Sequence, residues 1–227
     1  MKYIVIDTEG TGLFRHHNID ADGNKVTARS DEPGQPRMAS YAGVLVDEEL
    51  NIESVHQQYV LPIGWENADG SPMLEMPAEA LAINGLTFEF LREHGEPILP
   101  ALTHYLAAIR EGRAVLGFNA QHDGRQMRAE LRRAGLPDEF EDTPNTCAMR
   151  SLQAAKIKVK KLNGKGGFPR LIDAAAHFGV PGYETEQHHK AIDDALATVF
   201  ISRELHKMGA LLPPAVHHAK NFEGGQS

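Results

Sequence analysis

Short apolar segments alternate with polar ones along the 227 residues of the chain. Residues 2–7 form an apolar run without alternation, which predicts a strand that is buried on both faces. Two further strands are predicted at residues 39–47 and 52–61, and the polar residues between them suit a hairpin. A fourth short, buried strand is predicted at residues 114–118.

The rest of the pattern is mainly helical. Helices are predicted at residues 98–110, 121–134, 146–155, 170–178 and 190–208, with short helices within 77–93. The last helix places one apolar stripe at Ile192, Ala195, Leu196, Val199 and Phe200. Strands followed by mixed helices and strands indicate one layered α/β domain over residues 1–210. Residues 15–37 are predicted to be a long loop or a small protruding element, and residues 211–227 a flexible tail.

Composition and charge narrow the functional classes. The formal net charge of −8 counts against a large clamp that holds DNA regardless of sequence. It permits an enzyme that holds a few phosphates at one end of a strand. The one cysteine, Cys147, excludes an internal disulfide and a cysteine-rich zinc site, and it fits a reducing compartment. No apolar run approaches membrane-spanning length, so we predict a cytoplasmic protein without a membrane partner.

Carboxylates stand at the ends of predicted elements. Asp7 and Glu9 are two residues apart at the end of the first strand, where an extended chain projects both from the same face. Two such charges repel unless a cation binds or one carboxylate takes a proton. Asp123 lies in the first turn of a predicted helix. Taken singly, Asp7 and Glu9 are better explained by a polar turn, and Asp123 by a helix N-terminus, where the helix dipole favours an acid.

The beginning of the last helix adds a histidine and another acid. His189 precedes this helix, and periodicity alone leaves Asp193 and Asp194 as equal candidates. The alternative for the acids is a solvated helix N-terminus, and for His189 a surface histidine. Together, acids at the ends of three elements could hold two divalent cations about 4 Å apart, the geometry used to cleave phosphodiesters. Oxygen ligands favour Mg²⁺ or Mn²⁺.

Three segments also match the motifs of a known family. Residues 7–13 are DTEGTGL, residues 117–123 are GFNAQHD, and residues 189–194 are HKAIDD. In this order and spacing the chain resembles the DEDDh (DnaQ-like) 3′→5′ exonuclease superfamily over nearly its whole length. A weaker match is INGLT at residues 83–87. The resemblance implies a ribonuclease H-like three-layer α/β fold, with a mixed central sheet flanked by helices, and it selects Asp194 over Asp193.

The resemblance also implies roles for individual residues. Two Mg²⁺ or Mn²⁺ ions would be held by Asp7, Glu9, Asp123 and Asp194, and His189 would be the general base. Substrate would be bound by Thr11, Gly12, Leu13 and Asn119. Leu13 would wedge against the terminal base, and the backbone near Thr11 would meet the 3′-OH. The implied activity is the release of nucleoside 5′-monophosphates from the 3′ end of DNA, with single-stranded DNA as the expected partner.

Several alternatives stay open at this point. Within the class, the chain could be a 3′→5′ exoribonuclease that acts on short RNA. From other classes, it could be a catalytically silent module associated with a polymerase, or a phosphoesterase for small molecules. A polymerase partner and a homodimer are both compatible with the sequence. The basic residues between 156 and 170 suit either a solvated loop or a contact with phosphates.

Overall fold

The computed structural model describes residues 1–20, 22–159, 168–183 and 190–216. Its strands are β1 (Tyr3–Gly10), β2 (His17–Ile19), β3 (Lys25–Thr27), β4 (Met38–Val46), β5 (Ile52–Tyr59), β6 (Ala114–Gly117) and β7 (Asn145–Cys147). Its helices are α1 (Ala78–Asn84), α2 (Phe88–His94), α3 (Leu99–Arg110), α4 (Ala120–Arg133), α5 (Ala148–Ala154), α6 (Leu171–Phe178) and α7 (Ala191–Lys207).

The described residues form a central mixed sheet with the strand order β5-β4-β1-β6-β7. Antiparallel pairs join β1 to β4 and β4 to β5, whereas β1 pairs with β6 and β6 with β7 in parallel. The apolar run of β1 is buried because helices cover both faces of the sheet. The predicted three-layer α/β fold with a mixed central sheet is therefore confirmed.

Each face of the sheet has its own apolar core. On one face, Ile4 and Ile6 of β1 pack in a cluster with residues of α1 to α4. On the other face, Val5 and residues of β4 and β6 pack against α7. A third cluster joins the outer side of α7 to α5 and α6. Helix α7 is thus packed on two sides.

Two details of the helix prediction are wrong. Thr146 and Cys147 belong to strand β7, and α5 begins only at Ala148, because parallel pairing with β6 keeps these residues extended. A strand of three residues is too short to show a period in sequence. The single stripe predicted on α7 is also wrong, since this helix buries residues toward both the sheet and α6, while Leu196 is exposed.

The segment 15–37, predicted as a long loop or a small protruding element, includes two short strands. Strands β2 and β3 pair as an exposed antiparallel hairpin. The side chain of Gln35 closes the base of this hairpin, because it accepts a hydrogen bond from the Arg15 N–H and donates to the carbonyls of Arg15 and Arg29.

The residues after α7 return to the edge of the sheet. Ala215 exchanges two backbone hydrogen bonds with Asn145 of β7, and the Leu212 N–H donates to Ser151 Oγ. Residues 217–227 of the predicted tail lie outside the described residues. None of the described helices combines the length and apolarity needed to cross a membrane.

Candidate active site

Strand β1 places two of the predicted acids on the face of the sheet that α7 covers. Side chains alternate along a strand, so Asp7 and Glu9 continue the row that Val5 begins in the core beneath α7. Asp7 is opposite Ala42 of β4 and Glu9 is opposite Ser40, and the register shifts immediately after Glu9. The apolar row therefore ends in two carboxylates where β1 leaves the sheet.

Helix α7 brings the third acid to the same point. Asp194 lies in its first turn and is only 5% exposed, whereas its neighbour Asp193 is exposed. One carboxylate oxygen from each of Asp7, Glu9 and Asp194 lies within 4.8 Å of the others. Of the two acids between which periodicity could not choose, Asp194 is thus the one that faces Asp7 and Glu9.

Asp123 joins this group from α4. Its Oδ1 accepts hydrogen bonds from the N–H and the hydroxyl of Thr8, at 3.0 and 2.9 Å. Thr8 lies between Asp7 and Glu9 in β1, so the helix is fastened to the strand at the level of the other acids. The cluster of Asp7, Glu9, Asp123 and Asp194 is called the acidic cluster below.

The acidic cluster is electrostatically strained. Burial, followed by the charges of Asp123, Asp194 and Glu9, raises the pKa of Asp7 well above its usual range. Burial raises the pKa of Asp123 to about 6, although His122 and the hydrogen bonds from Thr8 oppose this shift. Among the described residues, neither Asp7 nor Asp123 forms an ion pair with lysine or arginine.

This combination fits a hard divalent cation. Carboxylate oxygens are the ligands that Mg²⁺ and Mn²⁺ prefer, and a cation would offset the burial of both carboxylates and the repulsion that adds to the raised pKa of Asp7. The structure therefore brings together all four acids that the sequence proposed as ligands, three of them within reach of one ion. His189, the predicted general base, lies outside the described residues.

The predicted substrate-binding residues differ in their accessibility. Leu13 is 83% exposed beside the end of β1, as a residue that contacts a base must be. Asn119 is also exposed, at the N-terminus of α4. Gly12 has a φ of +149°, and a side chain at this position would meet nothing within 4 Å. Thr11 is buried, and its N–H already donates to the Arg37 carbonyl at 2.9 Å.

Tyr183 is part of the site although sequence reasoning did not find it. Its hydroxyl donates a short hydrogen bond to Asp194 Oδ1. Burial and then the charge of Asp194 raise the pKa of the Tyr183 phenol, so the hydroxyl keeps its proton and remains a donor. Nothing in the spacing of residues 183 and 194 signals this contact, because it depends on how α6 is placed against α7.

Asn84 is a second contributor, and the INGLT segment contains it. Its side-chain amide donates to the Gly10 carbonyl at 3.1 Å, and its Oδ1 accepts from the Leu86 N–H. Asn84 is buried at the end of α1 and fixes the end of β1 immediately after Glu9. The weaker motif match therefore contains a residue that is outside the acidic cluster and holds the end of the strand that carries Asp7 and Glu9.

Comparison with known proteins gives matches only at the level of structure. No protein-family model and no curated protein sequence matches the chain. E. coli exonuclease I in complex with an oligonucleotide superposes with a TM-score of 0.66 at 17% identity, over 91% of this chain and 40% of that one. The zinc-ion-bound form of its complex with single-stranded DNA gives 0.61 at 17% identity, with the same coverage.

A further structure of exonuclease I gives a TM-score of 0.64 at 18% identity, over 91% of this chain and 41% of that one. The chain thus spans about 40% of the length of the exonuclease I chains that it matches. At this level of identity the likeness establishes architecture, and the chain has the mixed α/β fold found in the matched part of exonuclease I.

Proposed function

We propose that this chain is a metal-dependent 3′→5′ exonuclease that removes nucleoside 5′-monophosphates from the 3′ end of DNA. The observation that carries the proposal is the meeting of Asp7, Glu9 and Asp194, with Asp123 beside them, where three elements end. The likeness to exonuclease I supports it, since that protein has been captured with single-stranded DNA. Single-stranded DNA is therefore the proposed substrate.

The acidic cluster would hold two Mg²⁺ or Mn²⁺ ions. Such ions lower the pKa of a bound water and stabilise the leaving 3′ oxygen. The chain's own contribution is to hold the four carboxylates in fixed places: Thr8 and Tyr183 hydrogen-bond to two of them, and Asn84 fixes the end of the strand that carries the other two.

Other residues would handle the proton and the strand end. His189 would accept the proton of the attacking water, because the pKa of histidine lies near neutrality. Leu13, whose side chain is almost fully exposed, would pack against the terminal base. Since the Thr11 N–H is used internally, a contact of this turn with the 3′-OH would have to come from another group of residues 10–13.

Digestion of oligonucleotides tests the proposal. A single-stranded DNA labelled at its 5′ end is incubated with Mg²⁺ or with EDTA, and the products are resolved by length. Stepwise shortening from the 3′ end, with release of 5′-mononucleotides and only in the presence of Mg²⁺, is the expected result. Loss of the 5′ label as a mononucleotide would reverse the proposed polarity, and no shortening at all would indicate a binding module.

The chain offers a closely matched control for this assay. Asp194→Asn removes a carboxylate from the acidic cluster, and Asp193→Asn removes the exposed carboxylate next to it. We expect Asp194→Asn to reduce the rate of hydrolysis by more than roughly 100-fold, the upper end of what is lost when a group that only hydrogen-bonds to a metal ligand is replaced. We expect Asp193→Asn to keep its activity. Equal activities would remove Asp194 from the mechanism. A parallel RNA strand separates the deoxyribonuclease from the exoribonuclease alternative.

A further inference from the structure

Tyr183 is held rigidly by the end of α6. This helix stops at Gly179, which is left-handed with φ +65°, and Gly182, with φ +75°, completes the turn before Tyr183. The Tyr183 N–H donates back to the Val180 carbonyl. Its ring packs against the apolar cluster shared by α5, α6 and α7. The ring of Tyr183 is therefore supported by the packed residues of α5, α6 and α7.

The Tyr183 hydroxyl contacts the first turn of α7. It donates to Oδ1 of Asp194, 11 residues later in sequence. A carboxylate offers about four lone-pair positions, and the hydrogen bond from Tyr183 occupies one of them. The contact thus constrains the orientation of this carboxylate.

A parallel arrangement exists on the other side of the acidic cluster. Asp123 receives its hydrogen bonds from Thr8, a residue that is itself buried in β1. Two of the four carboxylates are therefore oriented by a protein hydroxyl. Hydrogen bonds to ligating carboxylates are a common means by which proteins set the geometry and the affinity of metal sites.

We infer that Tyr183 is a positioning residue, which orients Asp194 for cation binding through the hydrogen bond from its hydroxyl. The inference rests on the proposed function, since it assigns Asp194 as a metal ligand. It adds a requirement that none of the three sequence motifs contains. It also predicts that loss of the hydroxyl weakens cation binding in the absence of any nucleic acid.

The test is a titration of the full chain with Mn²⁺, in which electron paramagnetic resonance or calorimetry measures the affinity for the ion. Tyr183→Phe keeps the packed ring and removes only the donor, and we expect its Mn²⁺ affinity to fall about 10-fold or more. Tyr41→Phe is the matched control, because it also removes a buried hydroxyl, one bonded to His104 Nδ1. We expect this control to bind Mn²⁺ as tightly as the unaltered chain.

The assay on DNA provides a second readout. In Tyr183→Phe the Mg²⁺ concentration for half-maximal hydrolysis should rise about as much as the Mn²⁺ affinity falls, with a smaller change in the rate at saturating Mg²⁺. Unchanged Mn²⁺ affinity would overturn the inference. Tighter binding would overturn it too, because the hydroxyl would then be competing with the cation.

Two further comparisons keep the result interpretable. If circular dichroism shows that Tyr183→Phe is unfolded, Tyr183→His, which restores an N–H donor, should bind Mn²⁺ more tightly than Tyr183→Leu; equal binding would overturn the inference. If the unaltered chain binds no Mn²⁺, the proposed function fails together with the inference. If it binds Mn²⁺ and Tyr183→Phe binds equally well, only the role of Tyr183 fails.

Discussion

Helix α4 carries two buried acids in contrasting surroundings. Asp123 is 4% exposed and Glu130 is 1% exposed. Seven residues make nearly two full turns, so both project from the same side of the helix. One lies in the acidic cluster and the other lies beneath residues 30–37. Two buried carboxylates on one helix face therefore have different surroundings.

Glu130 is fully compensated. Its carboxylate accepts two hydrogen bonds from the Arg37 guanidinium, at 3.0 and 3.1 Å, and one from Arg133 at 2.7 Å. The Met38 N–H donates to it as well, at 3.1 Å. Two cations and a backbone group thus replace the water that this carboxylate loses on folding. We call this group the arginine cluster.

Asp123 has acids where Glu130 has arginines. Thr8 donates to it through its N–H and its hydroxyl, and the charge of Asp123 contributes to the raised pKa of Asp7. Repulsion of this kind destabilises the fold while no cation is bound, and a bound cation reverses it. The comparison shows that the chain neutralises the buried carboxylate of Glu130 with arginine, whereas no lysine or arginine of the described residues pairs with Asp123.

The largest effect is expected in the arginine cluster. Glu130→Gln leaves two guanidinium groups without their counter-charge, and we expect it to cost about 3–5 kcal/mol of unfolding free energy, measured by urea denaturation. The control is Glu141→Gln. Glu141 forms an ion pair with Arg128, but its own side chain is 45% exposed. This change should cost less than about 1 kcal/mol. Similar losses in the two variants would contradict the contrast.

The next effect concerns the acidic cluster and a cation. Mg²⁺ at a free concentration of 100 times its dissociation constant should stabilise the folded chain by about 2.7 kcal/mol. Thermal denaturation at constant ionic strength measures this gain, and EDTA should abolish it. Asp7→Asn should show little of the gain, whereas Glu141→Gln should keep it. Equal stabilisation by Na⁺ would indicate general screening instead of a site.

An effect of comparable size follows from the pKa of Asp123. A carboxyl group whose pKa is raised by folding binds its proton more tightly in the folded state, so its contribution to stability is lost as pH rises from about 4 through 6. In EDTA, Asp123→Asn keeps the oxygen that accepts from Thr8 and removes the charge. We expect this variant to be more stable than the unaltered chain by about 3 kcal/mol above pH 7.

The pH profile provides the check on this prediction. The stability difference should shrink as pH falls below 6 and vanish below about pH 3, because the Asp123 carboxyl group is then uncharged in both the folded and the unfolded chain. A constant difference across this range, or a less stable variant at pH 8, would contradict a role for charge. Activity should be lost in the same variant.

The smallest effect is expected at Thr8. Thr8→Val removes the hydroxyl that donates to Asp123 and leaves the backbone N–H in place. The cost should be about 1 kcal/mol in stability. Because the hydroxyl lowers the pKa of Asp123, the half-saturating Mg²⁺ concentration should rise more at pH 6.5 than at pH 8. An equal rise at both values would mean that the hydroxyl acts by geometry alone.

The acidic cluster was predictable because its members stand at the ends of elements. Asp7 and Glu9 end a buried apolar run, and Asp123 and Asp194 begin helices, so their proximity follows from the layered fold. Choosing Asp194 over Asp193 needed the family resemblance. Tyr183 was not predictable, since its contact arises from the packing of α6 against α7, which no local pattern encodes.

The arginine cluster was not predictable for a different reason. The sequence around Glu130 is strongly charged, and a charged helix face is usually exposed to water. Here the segment before β4 lies over this face, and Arg133 donates to the backbone carbonyls of Ser30 and Pro36. Such coverage by a distant, irregular segment leaves no period in the helix it covers.

The position of Arg37 has a practical consequence for protein engineering. Deletion of residues 15–37, rather than of the hairpin alone, would remove Gln35, Arg37 and the carbonyls to which Arg133 donates. The face of α4 that carries Glu130 and Arg133 would then be exposed to solvent, and both residues would lose partners that the deleted segment supplied. A shortened version of this chain must therefore either retain both α4 and residues 15–37 or have both redesigned together.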